Sequence, residues 1–392
     1  LEGDEHMVGE LINTFLKTVV REGKMPFDIN PESPKPQLKS GNATLNNAFI
    51  VKKDEFYTQY EDVVVEMMKH RSHLKGKTIL CNCDDPFESD FFRFFILHFD
   101  DLELSGLIST CYSESSLAGK EYPLSGGTSA YKAIVKEVPS DNLERPDGSL
   151  DLESLFAIPS NSLVHLSGNG DFRSKECEAL LQQADIIVTN PPFSLFREYI
   201  SLLMLHKKKF IILGNMNAST CKEIFPLFRD NKIWYGDSIK SGDRKFHVPD
   251  NYPLNASNCG IDDTGRRFIR VKGVRWFTNL DTTRRHEHLV LTKKYNPNDY
   301  PKYENYDAIE VNRTQNIPLD YDGLMGVPIT FLDKYNPDQF NIIMLANGNA
   351  RSNVPSDILS KVKYLQHSED RGGVGIIDGQ RVYARILIQR KS

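Results

Sequence analysis

Two adjacent prolines, Pro191 and Pro192, separate an apolar run from an amphipathic one. Proline has no N–H for a sheet ladder and a fixed φ, so the run Asp185-Ile186-Ile187-Val188-Thr189 reads as a buried strand that must stop there. Ser194 to Ile200 then carries the spacing of a helix start. Strand, stiff turn and helix in succession are the unit of an open α/β sheet. They place Asn190-Pro191-Pro192-Phe193 at the carboxyl end of a strand, where such sheets collect their ligands.

The residue types at that turn suit a planar exocyclic amine such as that of adenine. The Asn190 side-chain oxygen and the Pro191 carbonyl can accept its two hydrogens. Two acceptors favour a pyramidal nitrogen and stabilise the positive charge that develops as it attacks a methyl sulfonium. The prolines aim the acceptors before substrate arrives. Phe193 offers a face for stacking a base, and a base modified within a duplex must first be flipped out. The competing reading is an ordinary Pro-Pro turn with Asn as a turn residue. The strand before and the helix after favour the site.

The same rhythm runs through much of the chain. Lys77 to Cys83 reads as a first buried strand, Asp90 to Phe99 as an aromatic-rich helix and Glu103 to Tyr112 as a second strand. That order argues for a parallel sheet. Residues 113–162 interrupt it and read as an insertion containing a strand from Tyr131 to Val138. Strands at 162–166 and 209–214, a helix at 174–183 and strand candidates at 232–235 and 274–280 resume the pattern. From about residue 295 the alternation is lost until a final strand, Val382 to Ile388. Ahead of all this, residues 9–22 have helical spacing and 25–41 hold four prolines. Leu1 to His6, preceding Met7, read as vector-derived residues. The expected division is therefore an N-terminal helix and arm at 1–41, a catalytic α/β domain at 42–294 and a C-terminal region at 295–392.

No apolar run approaches the roughly 18 residues of a membrane span, and six scattered cysteines without a second close pair read as reduced thiols in a cytoplasmic protein without a metal site. The net charge of −5 argues against indiscriminate nucleic-acid binding. Between Thr264 and Lys294, however, nine basic residues stand against two acids. Arg266, Arg267, Arg284 and Arg285 lead that stripe as candidate phosphate contacts, against the alternative of a solvated surface hairpin.

The glycine-rich fingerprint of pyrophosphate binding is absent after the first strand. In its place stand Cys83-Asp84-Asp85-Pro86, followed by Phe87 and further acids. Acids there repel a pyrophosphate but suit S-adenosylmethionine, which is cationic and carries no phosphate. The alternative is that the acid pair caps the following helix. Gly170-Asp171-Phe172 lies before the 174–183 helix, where Asp171 can accept from the donor's adenine amine and Phe172 can pack on its ring. Taken alone, it reads equally as a turn.

Phe56-Tyr57-Thr58, Asn82-Cys83-Asp84-Asp85-Pro86 and Asn190-Pro191-Pro192-Phe193-Ser194, in that order, resemble the EcoRI-type adenine-specific DNA methyltransferases. Leu213 to Ala218, Trp276 to Leu280 and Met325 to Leu332 extend the likeness over roughly residues 45–392. The resemblance implies a doubly wound, Rossmann-like methyltransferase fold with a C-terminal DNA-recognition region. It implies an S-adenosylmethionine-dependent enzyme that methylates adenine N6 in duplex DNA, in some cases alongside a restriction endonuclease of the same target. It also implies that Tyr57 and Thr58 pack against the methionine end of the donor, that Asp85 lines the donor pocket and that Asp171 and Phe172 meet its adenine. Two rivals stay open: a methyltransferase acting on RNA adenine or protein glutamine, and a DNA-binding homologue that has lost catalysis.

Overall fold

The structure is a computed structural model of the 392-residue chain, and it describes residues 58–113, 130–140, 143–146, 148–240, 242–248, 252, 254 and 259–391. The expected N-terminal helix, the proline-rich arm and Tyr57 lie outside the described residues.

In chain order the first strands are β1 (Thr78–Cys81), β2 (Gly106–Thr110), β3 (Tyr131–Val135), β4 (Ser162–His165), β5 (Ile186–Thr189), β6 (Lys209–Asn215) and β7 (Trp234–Tyr235). There follow β8 (Asp243–His247), β9 (Cys259–Ile261), β10 (Arg267–Lys272) and β11 (Val274–Thr278). The C-terminal strands are β12 (Ala308–Glu310), β13 (Leu324–Val327), β14 (Phe340–Ala346), β15 (Ile376–Ile377), β16 (Gln380–Arg381) and β17 (Arg385–Arg390). Four helices matter for the site: α1 (Tyr60–Lys69), α2 (Asp90–Leu97), α3 (Lys175–Gln183) and α4 (Phe196–Leu205).

Eight strands form the main sheet in the order β4-β3-β2-β1-β5-β6-β11-β7. Its centre, β2-β1-β5-β6, is parallel. Both flanks are antiparallel. The parallel sheet expected from the strand-helix-strand order is thus confined to the centre, where α2 connects β1 to β2 and α4 connects β5 to β6, while α3 leads from the flanking β4 into β5. On one flank β11 follows β10 after the single residue Gly273, so it enters from the carboxyl edge and must run against β6. On the other, β3, from the segment read as an insertion, lies between β2 and β4 as a full member of the sheet.

Alternate residues of the central strands face two separate cores. Leu80, Ile187, Phe210 and Ile212 meet Leu180 and Leu181 of α3 and Tyr199, Ile200 and Leu203 of α4. Ile79, Ile186, Val188, Ile211 and Leu213 meet Val63 and Met67 of α1 and the phenylalanines of α2. With both faces covered, every residue of β5 is buried, which is why its sequence is apolar throughout. In α2, Phe91, Phe92, Phe94 and Phe95 are all buried, each ring stabilising the fold by roughly 1.5–3 kcal/mol. Phe91 stands edge-on to Trp276 of β11 at 5.9 Å, tying that helix to the antiparallel flank.

The C-terminal region builds its own sheet, β12-β13-β17-β14. Met325, Ile342 and Ile388 on one face join the same core as Phe210 and Tyr199, and Met344 and Leu387 on the other face pack with Tyr303 and Tyr306. The strand expected at Val382–Ile388 begins later, at Arg385. β14, whose Phe340-Asn341-Ile342-Ile343-Met344-Leu345-Ala346 is a plain apolar run, has no counterpart in the sequence reading. Among the described residues no helix is long and apolar enough to cross a membrane.

Candidate active site

Asn190 immediately follows β5 and is 7% exposed. Pro191 is buried, and Pro192 (φ −53°, ψ 126°) and Phe193 are half-buried. Phe193 begins a short 3-10 turn closed by the Leu195 N–H donating to the Pro192 carbonyl at 2.9 Å. The α4 helix is then seated by Phe196, whose ring lies against Gly214 of β6 and 4.8 Å from Phe277. A Cβ at position 214 would overlap that ring, so a glycine is required for the helix to approach the strand this closely. The turn is therefore held at both ends by packing, and Phe193 is not sealed in the core.

One strand away, the loop after β1 reaches the same place. Asp84 is 8% exposed and accepts from the Thr189 hydroxyl, from the Ser89 hydroxyl at 3.2 Å and from the Asn190 backbone N–H. Its own carbonyl accepts from the Ser109 hydroxyl of β2 at 2.6 Å. One carboxylate thus joins the end of β5, the start of α2 and the residue expected to bind the amine. Burial raises its pKa to about 7, against the lowering effect of those three donors. Burial thus opposes the negative charge expected to favour a cationic donor.

Asp85, also buried, accepts from the Tyr131 hydroxyl and from the Phe87 N–H at 2.9 Å, and Phe87 stands edge-on to Tyr131 at 5.7 Å. Pro86 is buried and Cys83 half-buried. The α2 helix is capped by Ser89, whose oxygen accepts from Phe91 and Phe92. Neither aspartate serves as the cap, so that alternative is set aside.

Beyond the end of β4, Gly170 has φ +80°, and a Cβ there would run into the Cys111 carbonyl and Ala130. Asp171 is gripped by Arg173, with Nη2 to Oδ2 at 2.7 Å, and this hydrogen bonding holds its pKa below the usual carboxylate range. Phe172 is 5% exposed and packs edge-on to Tyr199 at 5.0 Å. The Tyr199 hydroxyl donates to Asn82 Oδ1, so this segment is linked to the end of β1.

Three buried polar atoms near these elements have no hydrogen-bond partner among the described residues: Asn82 Nδ2 after β1, Thr110 Oγ1 at the end of β2 and Thr58 Oγ1 ahead of α1. Asn82 and Thr110 lie at the carboxyl ends of adjacent parallel strands. Such groups are costly unless a ligand completes them, and a donor rich in amine, carboxylate and hydroxyl groups matches that need. Sequence reasoning overlooked Thr110, because one threonine at a strand end carries no local signal.

The basic stripe does not survive as one surface. Arg275 has a side chain 4% exposed, bonded to Asp333 at 2.8 Å. The Arg285 side chain is 8% exposed, lies 3.7 Å over the Trp234 ring, pairs with Asp281 at 3.0 Å and donates to Asn231. Its guanidinium is used in holding the 3-10 turn Thr283–His286 on β7, which leaves little of it exposed for the phosphate contact expected of it. Arg284 pairs with Asp237 at 3.5 Å, and half-buried Arg267 donates to the Tyr252 carbonyl at 2.9 Å. Arg266 is exposed. We predict that Arg285→Ala lowers stability by about 2 kcal/mol in urea melts and leaves the salt dependence of DNA binding unchanged. A salt slope smaller by about one, at full stability, would restore Arg285 as a phosphate contact.

A family model described as adenine-specific methyltransferase EcoRI matches residues 44–391. The chain is 44% identical over 309 residues to the Type II methyltransferase M.EcoRI of Escherichia coli, covering 78% of this chain and 90% of that protein. It is 36% identical over 351 residues to the Type II methyltransferase M.MpnI of Mycoplasma pneumoniae, covering 88% and 98%. Type II methyltransferase M.MgeORF184P of Mycoplasma genitalium is 35% identical over 354 residues, again covering 88% and 98%. No solved structure gives a significant match.

Proposed function

The chain belongs to the EcoRI family of adenine-specific methyltransferases and methylates adenine in DNA; from that premise we propose that Asn190-Pro191-Pro192-Phe193 receives the exocyclic amine of an adenine flipped out of duplex DNA, with S-adenosylmethionine as the methyl donor. The observation that carries this reading is the shared Asp84, which bonds the loop after β1 to Thr189 and Asn190 at the end of β5. The two reactants of a methyl transfer need two loops held at one place, and this carboxylate holds them.

S-adenosylmethionine supplies an electrophilic methyl group on a sulfonium. Asn82, Asp85 and Thr110, with Thr58, Cys83, Pro86, Asp171 and Phe172 around them, are the residues that would hold it. The Asn190 side-chain oxygen and the Pro191 carbonyl hold the two amine protons, which frees the nitrogen lone pair and spreads the developing positive charge. Pro192 sets the turn, and Phe193 stacks on the base and excludes water from one face. We read the main sheet, with helices on both faces, as the doubly wound Rossmann-like fold. Residues 295–392 we read as the region that recognises the target, in a cytoplasmic enzyme that acts with or without a partner endonuclease.

The test supplies labelled donor with duplex DNA, RNA and protein side by side. Label on adenine N6 of duplex DNA alone is the expected result. Label on RNA or on protein glutamine, with duplex DNA unlabelled, would overturn the reading.

A further inference from the structure

A cleft of about 840 Å³ opens where the chain leaves β6 and where β10 turns into β11. Its inner wall is Met216, immediately after β6, and Gly273, which joins β10 to β11. Thr189 is level with Ile212, and β6 continues past it to Asn215, so this wall belongs to the same carboxyl edge as Asn190, one strand over. The outer wall comes from the C-terminal region, residues 313–315, 330, 333 and 334. The cleft is lined by six basic side chains against two acids. Two of the bases already have structural duties: Arg275 with Asp333, and Arg284 with Asp237. Lys240, Arg313 and Lys334 are exposed and form no ion pair with any described residue. Arg313 precedes a short 3-10 turn, Thr314–Asn316, pinned by Tyr300 donating to the Asn316 carbonyl at 2.8 Å, so its backbone is held in place.

In a protein whose net charge is −5, an excess of cations gathered in one cleft calls for a polyanion. We propose that this cleft seats the DNA phosphates flanking the extruded adenine, with Lys240, Arg313 and Lys334 as the contacts. The proposal rests on the adenine-methylation reading above and adds to it the surface on which the duplex lies. It replaces the stripe read from sequence with a set of bases that are distant in the chain. The geometry also gives the cleft a reason to be where it is. A base swung into the Asn190 turn leaves its backbone at the mouth of the site, and cations along the same carboxyl edge of the sheet are placed to receive it.

The test compares two triple variants of equal charge change. Lys240→Gln/Arg313→Gln/Lys334→Gln neutralises the cleft. Lys77→Gln/Lys207→Gln/Lys209→Gln neutralises three exposed lysines at the opposite, amino edge of the main sheet. Affinity for a short fluorescent duplex is measured by anisotropy as salt rises from about 50 to 200 mM. Three lost phosphate contacts lower the logarithmic salt slope by about 2.7, so wild type loses about fortyfold more affinity over that range than the cleft variant. The amino-edge variant keeps the wild-type slope, and the cleft variant binds target and non-target duplexes more weakly by the same factor. Equal slope changes in both variants, an unchanged slope in the cleft variant, or weakening confined to the target duplex would each overturn the proposal. Because binding is read without methyl transfer, the result stands apart from any failure of the catalytic reading.

Discussion

Asn190→Ala is expected to lower the rate of methyl transfer by about 10²–10³-fold while donor binding persists. In the proposed site the side-chain oxygen at that position is one of two acceptors for the amine, and removing one preorganised polar partner of a developing charge typically costs that much. The effect belongs in the rate constant of a single turnover, because the lost interaction strengthens as the nitrogen becomes positive. Little of it belongs in stability: Asn190 anchors the turn through its backbone N–H to Asp84, and alanine keeps that N–H. The measurement is a single turnover with labelled donor and saturating duplex, beside donor titration by calorimetry. A variant within twofold of wild type would remove Asn190 from the chemistry.

Asp84→Asn is the second large effect, and it acts through position. Three donors converge on this carboxylate, from Thr189, Ser89 and Asn190. An amide of the same shape has one oxygen and turns an N–H₂ group toward at least one of those donors. The Ser89 and Thr189 hydroxyls can rotate to accept from that group, but the Asn190 N–H can only donate. Where the N–H₂ group meets it, the Asn190 backbone shifts, and a displacement of about 1 Å at a reacting group costs about 10²-fold in rate. A purely structural role would lower the unfolding free energy and leave transfer by the folded fraction unchanged, so rate and stability are to be measured on the same samples.

The pH dependence supplies a further readout. Burial raises the folded-state pKa of Asp84 to about 7, while the unfolded chain releases this proton near the ordinary carboxylate value. The native state thus holds a proton between about pH 4 and pH 7 that the unfolded state has lost. The stability this confers is fully present below about pH 4 and is lost as pH rises through 7, at about 1.4 kcal/mol per pH unit. The stability of wild type minus that of Asp84→Asn should therefore fall by roughly 4 kcal/mol across that window and be level above it. Asp90, which burial raises to about 6, titrates in both proteins and cancels from the difference. A flat difference would show that Asp84 is ionised throughout.

Much of the central architecture was legible because it is local. The runs at 78–81, 186–189 and 209–215 are apolar enough to demand burial on both faces, and Pro191-Pro192 marks where one of them must end. The helix expected at 174–183 forms at Lys175–Gln183, with Ser174 capping it through the Cys177 N–H. The antiparallel flanks were not legible, since the direction of β11 depends on where β10 already lies. Nor was the fate of the arginines. Arg285 and Arg266 look alike in the sequence, yet one lies over Trp234 and the other faces solvent.

The amino-acid order by itself determined the buried central strands, where the stiff turn falls and which residue types stand at it. These follow from side-chain periodicity and from the fixed φ of proline, which need no distant partner. Only the tertiary structure decided that Asp84 bonds to Thr189 across 105 positions of chain, and that Lys240, Arg313 and Lys334 share one cleft. A carboxylate's partners and a cation's neighbours are set by which strands lie side by side, and that is a property of the assembled sheet.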